Sequence, residues 1–177
     1  MYTKPIFYGV CSIALCCAPA FAQAGGSATA GASADQKFVD MAAQTDMLEA
    51  HLGQMAADQA SAQGVKDYAQ MLVTDHTADY NKLTAAATKA GETVPKGLDA
   101  AHDRMIKPFE KLKGAAFDHR YIREMVAGHE KAIAAFKKEQ ADGQSADLKQ
   151  YASDALPTLE KHLQAAQDLE KSPAKSK

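Results

Sequence analysis

The sequence predicts an all-α fold, a four-helix bundle in which two helical hairpins are joined by a long crossover connection that contains a short helix. Apolar residues recur at helical spacing along most of the 177 residues. No stretch alternates apolar and polar side chains for long enough to indicate a strand. Two short breaks and one longer break, each containing glycine, separate the four long periodic segments.

The first hairpin is predicted on either side of Gly64. Its first helix runs from about residue 33 or 35 to residue 61, and its second helix runs from about residue 65 to residue 90. The second helix ends at Gly91, because glycine readily adopts the left-handed conformation that closes many helices. Each helix has its apolar residues on one face, as expected for helices that pack against each other.

The second hairpin is predicted from about residue 115 to residue 172. Its helices meet at the turn Asp142-Gly143, and Ser145 is positioned to cap the last helix. The connection before this hairpin contains a shorter helical segment at residues 98–113, broken at Pro108 because proline has no amide hydrogen to donate. Two hairpins joined by one long connection have ferritin-like connectivity.

Residues 1–22 have the pattern of a secretory signal peptide. Lys4 precedes a short apolar run, and Ala20 and Ala22 are the small residues expected at a cleavage site after Ala22. All three cysteines of the chain lie in this segment: Cys11, Cys16 and Cys17. A cysteine-built site in the main body is therefore excluded. The alternative interpretation is a lipoprotein modified at Cys16 or Cys17, although neither follows the small residue that such a site normally requires.

With cleavage after Ala22, the remaining chain divides into three segments: a flexible linker at residues 23–34, the bundle at residues 35–171 and a disordered polar tail at residues 172–177. We expect an exported protein of the periplasm or outer envelope, with no transmembrane helix in the mature chain. The chain has 20 basic and 22 acidic residues and a formal net charge of -2, so we expect no nucleic-acid partner. An envelope protein partner is compatible with the sequence, which indicates no oligomeric state.

Four ionisable residues, one on each long helix, interrupt the apolar faces: Glu49, His76, His129 and His162. Glu49 and His76 lie about 14 and 13 positions from the first turn, which puts them within about 2 Å of the same level. His129 lies about 13 positions from the second turn, whereas His162 lies about 19 positions beyond it and roughly 8 Å deeper. The prediction places both turns at the same end of the bundle and separates His162 from the other three residues.

A buried carboxylate among imidazoles needs polar partners, and one metal ion would satisfy all of these side chains at once. Three imidazoles and one carboxylate suit Zn, Cu or Fe, and they suit calcium or magnesium poorly. The alternative is a hydrogen-bonded network without metal, in which Glu49 accepts from His76 and His129. Asp75 either orients His76 by accepting from the ring nitrogen that faces away from the ion, or is an ordinary surface carboxylate.

Other patterns narrow the possible chemistry. No glutamate is followed three positions later by histidine, so the paired Glu-x-x-His ligands of di-iron bundles are absent from the sequence. Asp118 is predicted to cap the third long helix or to bond to Tyr121. Four methionines form no cluster that would indicate copper handling: Met41, Met47, Met55 and Met71. No general acid or base separate from the candidate ligands is evident, so an enzyme is the least favoured hypothesis.

The sequence also resembles a known family through an ordered set of motifs: Phe38-Val39, Glu49, Val65-x-x-Tyr68-Ala69, Met71, Asp75-His76, Pro95, Gly114-Ala-Ala-Phe117-Asp118-x-x-Tyr121, His129 and Leu156-Pro157-x-Leu159-x-x-His162-Leu163-x-x-Ala166. Over about residues 36–170 it is similar to exported bacterial proteins of the domain of unknown function 4142 family. The resemblance implies a ferritin-like bundle in the periplasm or outer envelope, and it implies no particular reaction. The recurring Glu and His positions of that family coincide with the four inward residues.

Two functions remain in competition at this point. The first is the binding of a single transition-metal ion through the inward Glu and His residues, for storage, buffering or protection of the envelope. The second is a non-enzymatic structural or interaction module of the envelope, in which a buried Glu–His network fixes the register of the helices without metal.

Overall fold

The computed structural model describes residue 1 and residues 32–171. Nearly all of the predicted signal peptide, most of the predicted linker and the predicted tail lie outside the described residues. The chain forms two separate units, Met1–Ala30 and Gly31–Lys177, and the description that follows concerns the second.

The prediction of an all-α bundle is confirmed. Four long helices and one short helix follow in chain order, and the described residues contain no strand: α1 (Ala34–Gln59), α2 (Gln63–Ala90), α3 (Ala100–Ile106), α4 (Ala115–Asp142) and α5 (Ala146–Lys171). No helix in the described part of the chain is both long enough and apolar enough to cross a membrane. The long helices have 26 or 28 residues, which corresponds to about 40 Å.

The four long helices are arranged so that each contacts two neighbours. α1 packs on α2 and α4 packs on α5 within the hairpins, while α2 packs on α5 and α1 packs on α4 between them. The short helix α3 packs on α1. This arrangement leaves one face of every long helix turned toward a shared interior, which is where the candidate site lies.

The hairpin turns lie at opposite ends of the bundle, so the prediction that they share an end is wrong. Asp35, at the start of α1, accepts hydrogen bonds from the backbone of Gln144 and Ser145 in the α4–α5 turn at 3.0 and 2.8 Å. At the other end, the Gly114 amide that precedes α4 donates to the Gln59 carbonyl at the end of α1, at 2.7 Å. The connection between the hairpins therefore runs along the full length of the bundle.

Asp118 joins the two hairpins instead of capping its own helix. Its carboxylate accepts from the amide and hydroxyl of Ser61 at 3.0 and 2.6 Å and from the amide of Ala62 at 2.9 Å. Ala62 precedes α2 and has no side chain that can cap it, so Asp118 supplies the missing acceptors. The predicted roles of Asp118, a cap on its own helix or a bond to Tyr121, are therefore wrong because its partners are more than 50 residues away in the chain.

The ends of the helices follow the predicted local signals closely. The Ser33 hydroxyl accepts from the Gln36 amide at 2.8 Å and caps α1, while Gly91 ends α2 in the left-handed region at φ 78°. Gly64 lies inside the first turn of α2 and not between the helices. The short helix ends at Ile106, two residues before Pro108, so it is shorter than predicted.

The interior contains two apolar clusters, and ionisable side chains lie where these clusters meet. One cluster includes Leu83, Phe136 and Leu159, and the other includes Leu72 and Tyr121. On α2, α4 and α5, a histidine occupies the position between the residues of the two clusters. The bundle is therefore apolar at both ends and polar in its middle layer.

The register of the first hairpin depends on a close approach at Gly53. A Cβ atom at this position would lie 2.7 Å from Cγ2 of Val73 and 2.9 Å from the backbone oxygen of Ala69. Only glycine lets α1 and α2 approach this closely, since the backbone oxygen cannot move aside. The contact lies one turn from Glu49 and one turn from His76, so it fixes the relative height of these two residues.

Candidate metal centre

Four buried side chains, one from each long helix, converge in the middle layer of the bundle. Glu49, His76, His129 and His162 are 3%, 2%, 0% and 1% exposed. One ring nitrogen from each of the three histidines lies within 4.8 Å of the others. The Glu49 Oε2 atom is 3.0 Å from His76 Nε2 and 3.4 Å from His129 Nε2. Four potential ligands therefore surround one small region.

The atoms that face this region have unsatisfied hydrogen-bonding capacity. Four of them are buried and have no hydrogen-bond partner among the described residues: Glu49 Oε2, His76 Nε2, His129 Nε2 and His162 Nδ1. Glu49 Oε2 and His76 Nε2 lie 3.0 Å apart and interact as an ion pair when His76 is protonated, but no other polar atom of the described residues satisfies His76 Nε2. An unpaired polar atom in a protein interior costs free energy, so four such atoms in one place indicate a missing common partner.

The other ring nitrogen of each histidine has an acceptor that orients the ring. His76 Nδ1 donates to Asp46 Oδ1 at 2.8 Å, His129 Nδ1 donates to the Met125 carbonyl at 2.9 Å, and His162 Nε2 lies 2.9 Å from Asp75 Oδ2. A carbonyl oxygen only accepts, so His129 Nδ1 carries a hydrogen and its Nε2 lone pair faces the centre when the ring is neutral. Carboxylates and carbonyls behind histidines are the usual outer partners of metal-binding imidazoles.

The pKa values of the side chains in the centre are shifted by burial and by their neighbours. Burial would raise the pKa of Glu49, but charge interactions with His129 and His76 outweigh it, so the net shift of this pKa is downward. Burial alone would lower the pKa of His76, but Glu49 and Asp46 raise it to about 10. Burial lowers the pKa of His162 to about 4, although the hydrogen bond that the ring makes to Asp75 acts in the opposite direction. At neutral pH, without metal, Glu49 is ionised, His76 is an imidazolium and His162 is neutral.

Asp46 is a residue of the candidate centre that sequence reasoning missed. It is buried, and burial raises its pKa to about 7, although the hydrogen bond with His76 opposes this shift. It lies three positions before Glu49 on the same helix face, so the sequence itself indicates a second inward carboxylate beside Glu49. His76 lies between the two carboxylates.

Asp75 does not orient His76, contrary to one of the two predicted alternatives. Its carboxylate contacts His162 on α5, while Asp46 takes the predicted role at His76. The Asp75 side chain is 37% exposed, which agrees in part with the second alternative, a surface carboxylate. Its partner lies on the other hairpin, and this pairing depends on how the hairpins pack.

His162 lies at the level of the other candidate ligands and not 8 Å deeper. Its ring centroid is 5.4 Å from that of His76 and 5.3 Å from that of His129. The turn residues between α4 and α5 do not advance along the helix axis, so the offset from His129 falls to three residues, or about 4.5 Å. Side chains lean toward the start of their own helix, and because α4 and α5 are antiparallel, His129 and His162 lean toward each other.

A glycine makes room for the carboxylate of Glu49. A Cβ atom at Gly128 on α4 would lie 3.2 Å from Glu49 Oε1, closer than an ordinary contact. The helix therefore presents bare backbone to the carboxylate, immediately before His129. The sequence shows this glycine inside a long helix, where glycine is otherwise unfavourable, and that is the signal that could have identified it.

The remaining histidines and methionines do not join the centre. His51 and His119 are exposed, and His102, in the short helix α3, pairs with the capping residue Asp99 at 2.9 Å. The four methionines considered above for copper handling are partly buried and pack against the two apolar clusters.

The donor set fits a transition-metal ion. Three imidazole nitrogens and one carboxylate oxygen are the ligands of zinc and copper sites, and the histidines have acceptors that fix their orientation. The fold and this buried layer define the protein as a four-helix bundle with one candidate metal centre in its core.

The chain belongs to the family described as "Domain of unknown function (DUF4142)", whose model matches residues 20–169. Three solved structures with similar folds are titled "CopM in the Cu(II)-bound form", "CopM in the Cu(I)-bound form" and "CopM in the Ag-bound form (by co-crystallization)". Their TM-scores are 0.65, 0.64 and 0.63 and their sequence identities 16%, 16% and 15%, over 78% of this chain and 96% of each of theirs. At this identity the likeness shows a shared fold. No curated protein matches the chain significantly.

Proposed function

We propose that this protein binds one transition-metal ion, with copper as the first candidate, through Glu49, His76, His129 and His162. The observation that carries the proposal is the convergence of four buried atoms, one from each side chain, that have no hydrogen-bond partner among the described residues. A bound cation satisfies all four at once. The acceptors behind the three histidines support the same conclusion, because they leave a nitrogen of each ring directed toward the ion.

Copper is preferred for two reasons. Cu(II) binds nitrogen and oxygen ligands more tightly than the other divalent ions of the first transition row, zinc and iron included. The CopM structures with the same fold contain copper or silver, which supports copper here without identifying the ion. Zinc and iron are the competing ions, and direct competition between them belongs to the test of the proposal.

The role that follows is the storage or buffering of the ion in the cell envelope, or protection of the envelope from it. The location rests on the signal peptide expected at residues 1–22. Binding is favoured over catalysis because all four ligand side chains are nearly inaccessible to solvent, which suits the holding of an ion better than the turnover of a substrate. Asp46 and Asp75, the carboxylates behind His76 and His162, serve to orient these ligands.

Metal binding is expected to stabilise the fold measurably. The protein is prepared without residues 1–22 and without a histidine tag, and is then melted with EDTA, with Cu(II) and with Zn(II). An ion present at a hundredfold excess over its Kd should raise the free energy of unfolding by about 2.7 kcal/mol, because it binds the folded chain and not the unfolded one. Absence of stoichiometric copper, zinc and iron, combined with a melting temperature that no metal changes, would rule the proposal out.

A second candidate is supported by the position of His76. As an imidazolium it lies 2.8 Å from Asp46 and 3.0 Å from Glu49, and it could fix the register of the helices without metal. The protein would then be a structural or interaction module of the envelope. In that case the double variant Glu49→Gln, His76→Gln should change stability but leave the cellular function intact, whereas the metal-binding function requires both side chains.

A further inference from the structure

The packing of α2 against α5 leaves a groove that reaches the candidate centre. The groove has a volume of about 580 Å³ and includes two of the four ligands, His76 and His162, in its wall. Thr158 lies on its α5 wall one turn before His162, and Ala78 lies on its α2 wall; both are exposed. Solvent therefore approaches the ligand layer from this side.

On two other sides of the layer the helices pack closely. Gly53 brings α1 against Ala69 and Val73 of α2, and the backbone of α4 at Gly128 lies against the Glu49 carboxylate. A second depression, of about 300 Å³, lies between α1 and α4 at the far end of the bundle, near Phe38 and Glu139. None of the four ligands lines this depression.

Asp75 connects the groove to the centre. Its side chain is 37% exposed in the groove wall, and its Oδ2 atom lies 2.9 Å from Nε2 of His162, whose Nδ1 atom faces the centre. One turn further along α2, Asp79 adds a second carboxylate to the same wall and accepts the Tyr151 hydroxyl. Four aspartates and three lysines line the groove, and among the aspartates Asp75 is the one whose carboxylate contacts a candidate ligand.

We infer that the groove between α2 and α5 is the passage through which the metal ion enters and leaves the buried centre. This inference rests on the proposed metal-binding function and adds the route. The ion passes between Asp75 and the α5 wall and then reaches His162 and His76, the two ligands that line the groove. Glu49 and His129, which do not line it, complete the ligand set from the opposite side of the bundle.

The passage is tested by filling it without touching a ligand. Thr158→Trp places a large ring in the groove, and Thr84→Trp makes the same change at an exposed position of α2 that does not line the groove. Uptake of Cu(II) by the metal-free protein is followed by the colour of a Cu(II) indicator, and release is followed by transfer to excess EDTA. Equilibrium affinity is measured separately by competition with the indicator. Ala78→Trp fills the groove from the opposite wall and gives a second reading if the first variant does not fold.

An obstructed passage slows both directions equally. We expect Thr158→Trp to reduce uptake and release by about tenfold or more with the Kd unchanged, because the ion must then wait for local opening of the helices. Thr84→Trp should behave as the unmodified protein. Unchanged rates in Thr158→Trp and Ala78→Trp, with copper still bound, would overturn the passage and leave the metal site intact. If the unmodified protein binds neither Cu(II) nor Zn(II), that result would instead overturn the proposed function.

Discussion

Replacing His76 with leucine is expected to lower the free energy of unfolding of the metal-free protein by about 3–5 kcal/mol at pH 8. The imidazolium of His76 lies between Asp46 and Glu49, whose side chains are 5% and 4% exposed. Leucine is of similar size but donates no hydrogen bond, so both carboxylates remain buried without their cation. The choice of pH keeps Asp46 ionised, since its pKa is raised only to about 7. Denaturant unfolding in the presence of EDTA measures the change.

His162→Leu is the matched comparison. His162 is equally buried and is also a candidate ligand, but its pKa is lowered to about 4 and it carries no charge at pH 8. Its partner Asp75 is 37% exposed and can be solvated when the ring is removed. We expect a loss of only about 1–2 kcal/mol, the cost of one buried hydrogen bond. Equal losses in the two variants would contradict the assignment of His76 as the buried cation.

The pH dependence of the metal-free protein follows from the same residue. The pKa of His76 is raised from 6.5 to about 10 in the folded state, so the folded chain holds this proton more tightly than the unfolded chain. The stabilisation is therefore complete below pH 6.5 and is lost as the pH rises toward 10. Unfolding measured between pH 7 and pH 10 should show this loss in the unmodified protein, and His76→Leu should lack it.

Replacing Glu49 with glutamine is expected to weaken copper binding by more than about 100-fold, since even the loss of an outer partner of a ligand costs 10–100-fold. Glutamine keeps the size and hydrogen-bonding shape of the side chain but removes the charge that attracts the ion. Within the described residues, Glu49 is the only carboxylate with an oxygen close to two of the candidate ligand histidines, at 3.0 Å from His76 and 3.4 Å from His129. Competition against a Cu(II) chelator of known affinity measures the change.

Glu130→Gln makes the same chemical change at an exposed position next to His129 on α4. It should leave the copper affinity unchanged, and both variants should remain folded in EDTA by circular dichroism. If Glu49→Gln binds copper as tightly as the unmodified protein, the carboxylate is not a ligand and the ion lies elsewhere.

The inward positions could be predicted because they depend only on helix geometry. A rotation of 100° per residue places Glu49, His76, His129 and His162 on the apolar faces, and no tertiary information is needed for that. The level of His162 could not be predicted in the same way. It depends on how many turn residues advance along the axis and on the opposite tilt of side chains in antiparallel helices.

The contacts between the two hairpins could not be predicted from the hydrophobic periodicity of the sequence. Asp75 pairs with His162 and Asp118 pairs with Ser61, and each of these contacts joins the first hairpin to the second. Periodicity determines which face of a helix is buried but does not determine which end of one hairpin lies beside which end of the other. The same gap explains why both turns were predicted at one end of the bundle. Asp46 differs, because its place on the same helix face as Glu49 follows from the helical repeat alone.

The central claim is that one ion lies among the four side chains, and its position can be observed directly. Crystals of the copper-loaded protein, lacking residues 1–22 and any histidine tag, are measured at the copper absorption edge. We expect a single anomalous peak about 2.0–2.2 Å from the inward atoms of Glu49, His76, His129 and His162. Peaks at exposed residues such as His51 and His119, with no peak among those four side chains, would contradict the assignment.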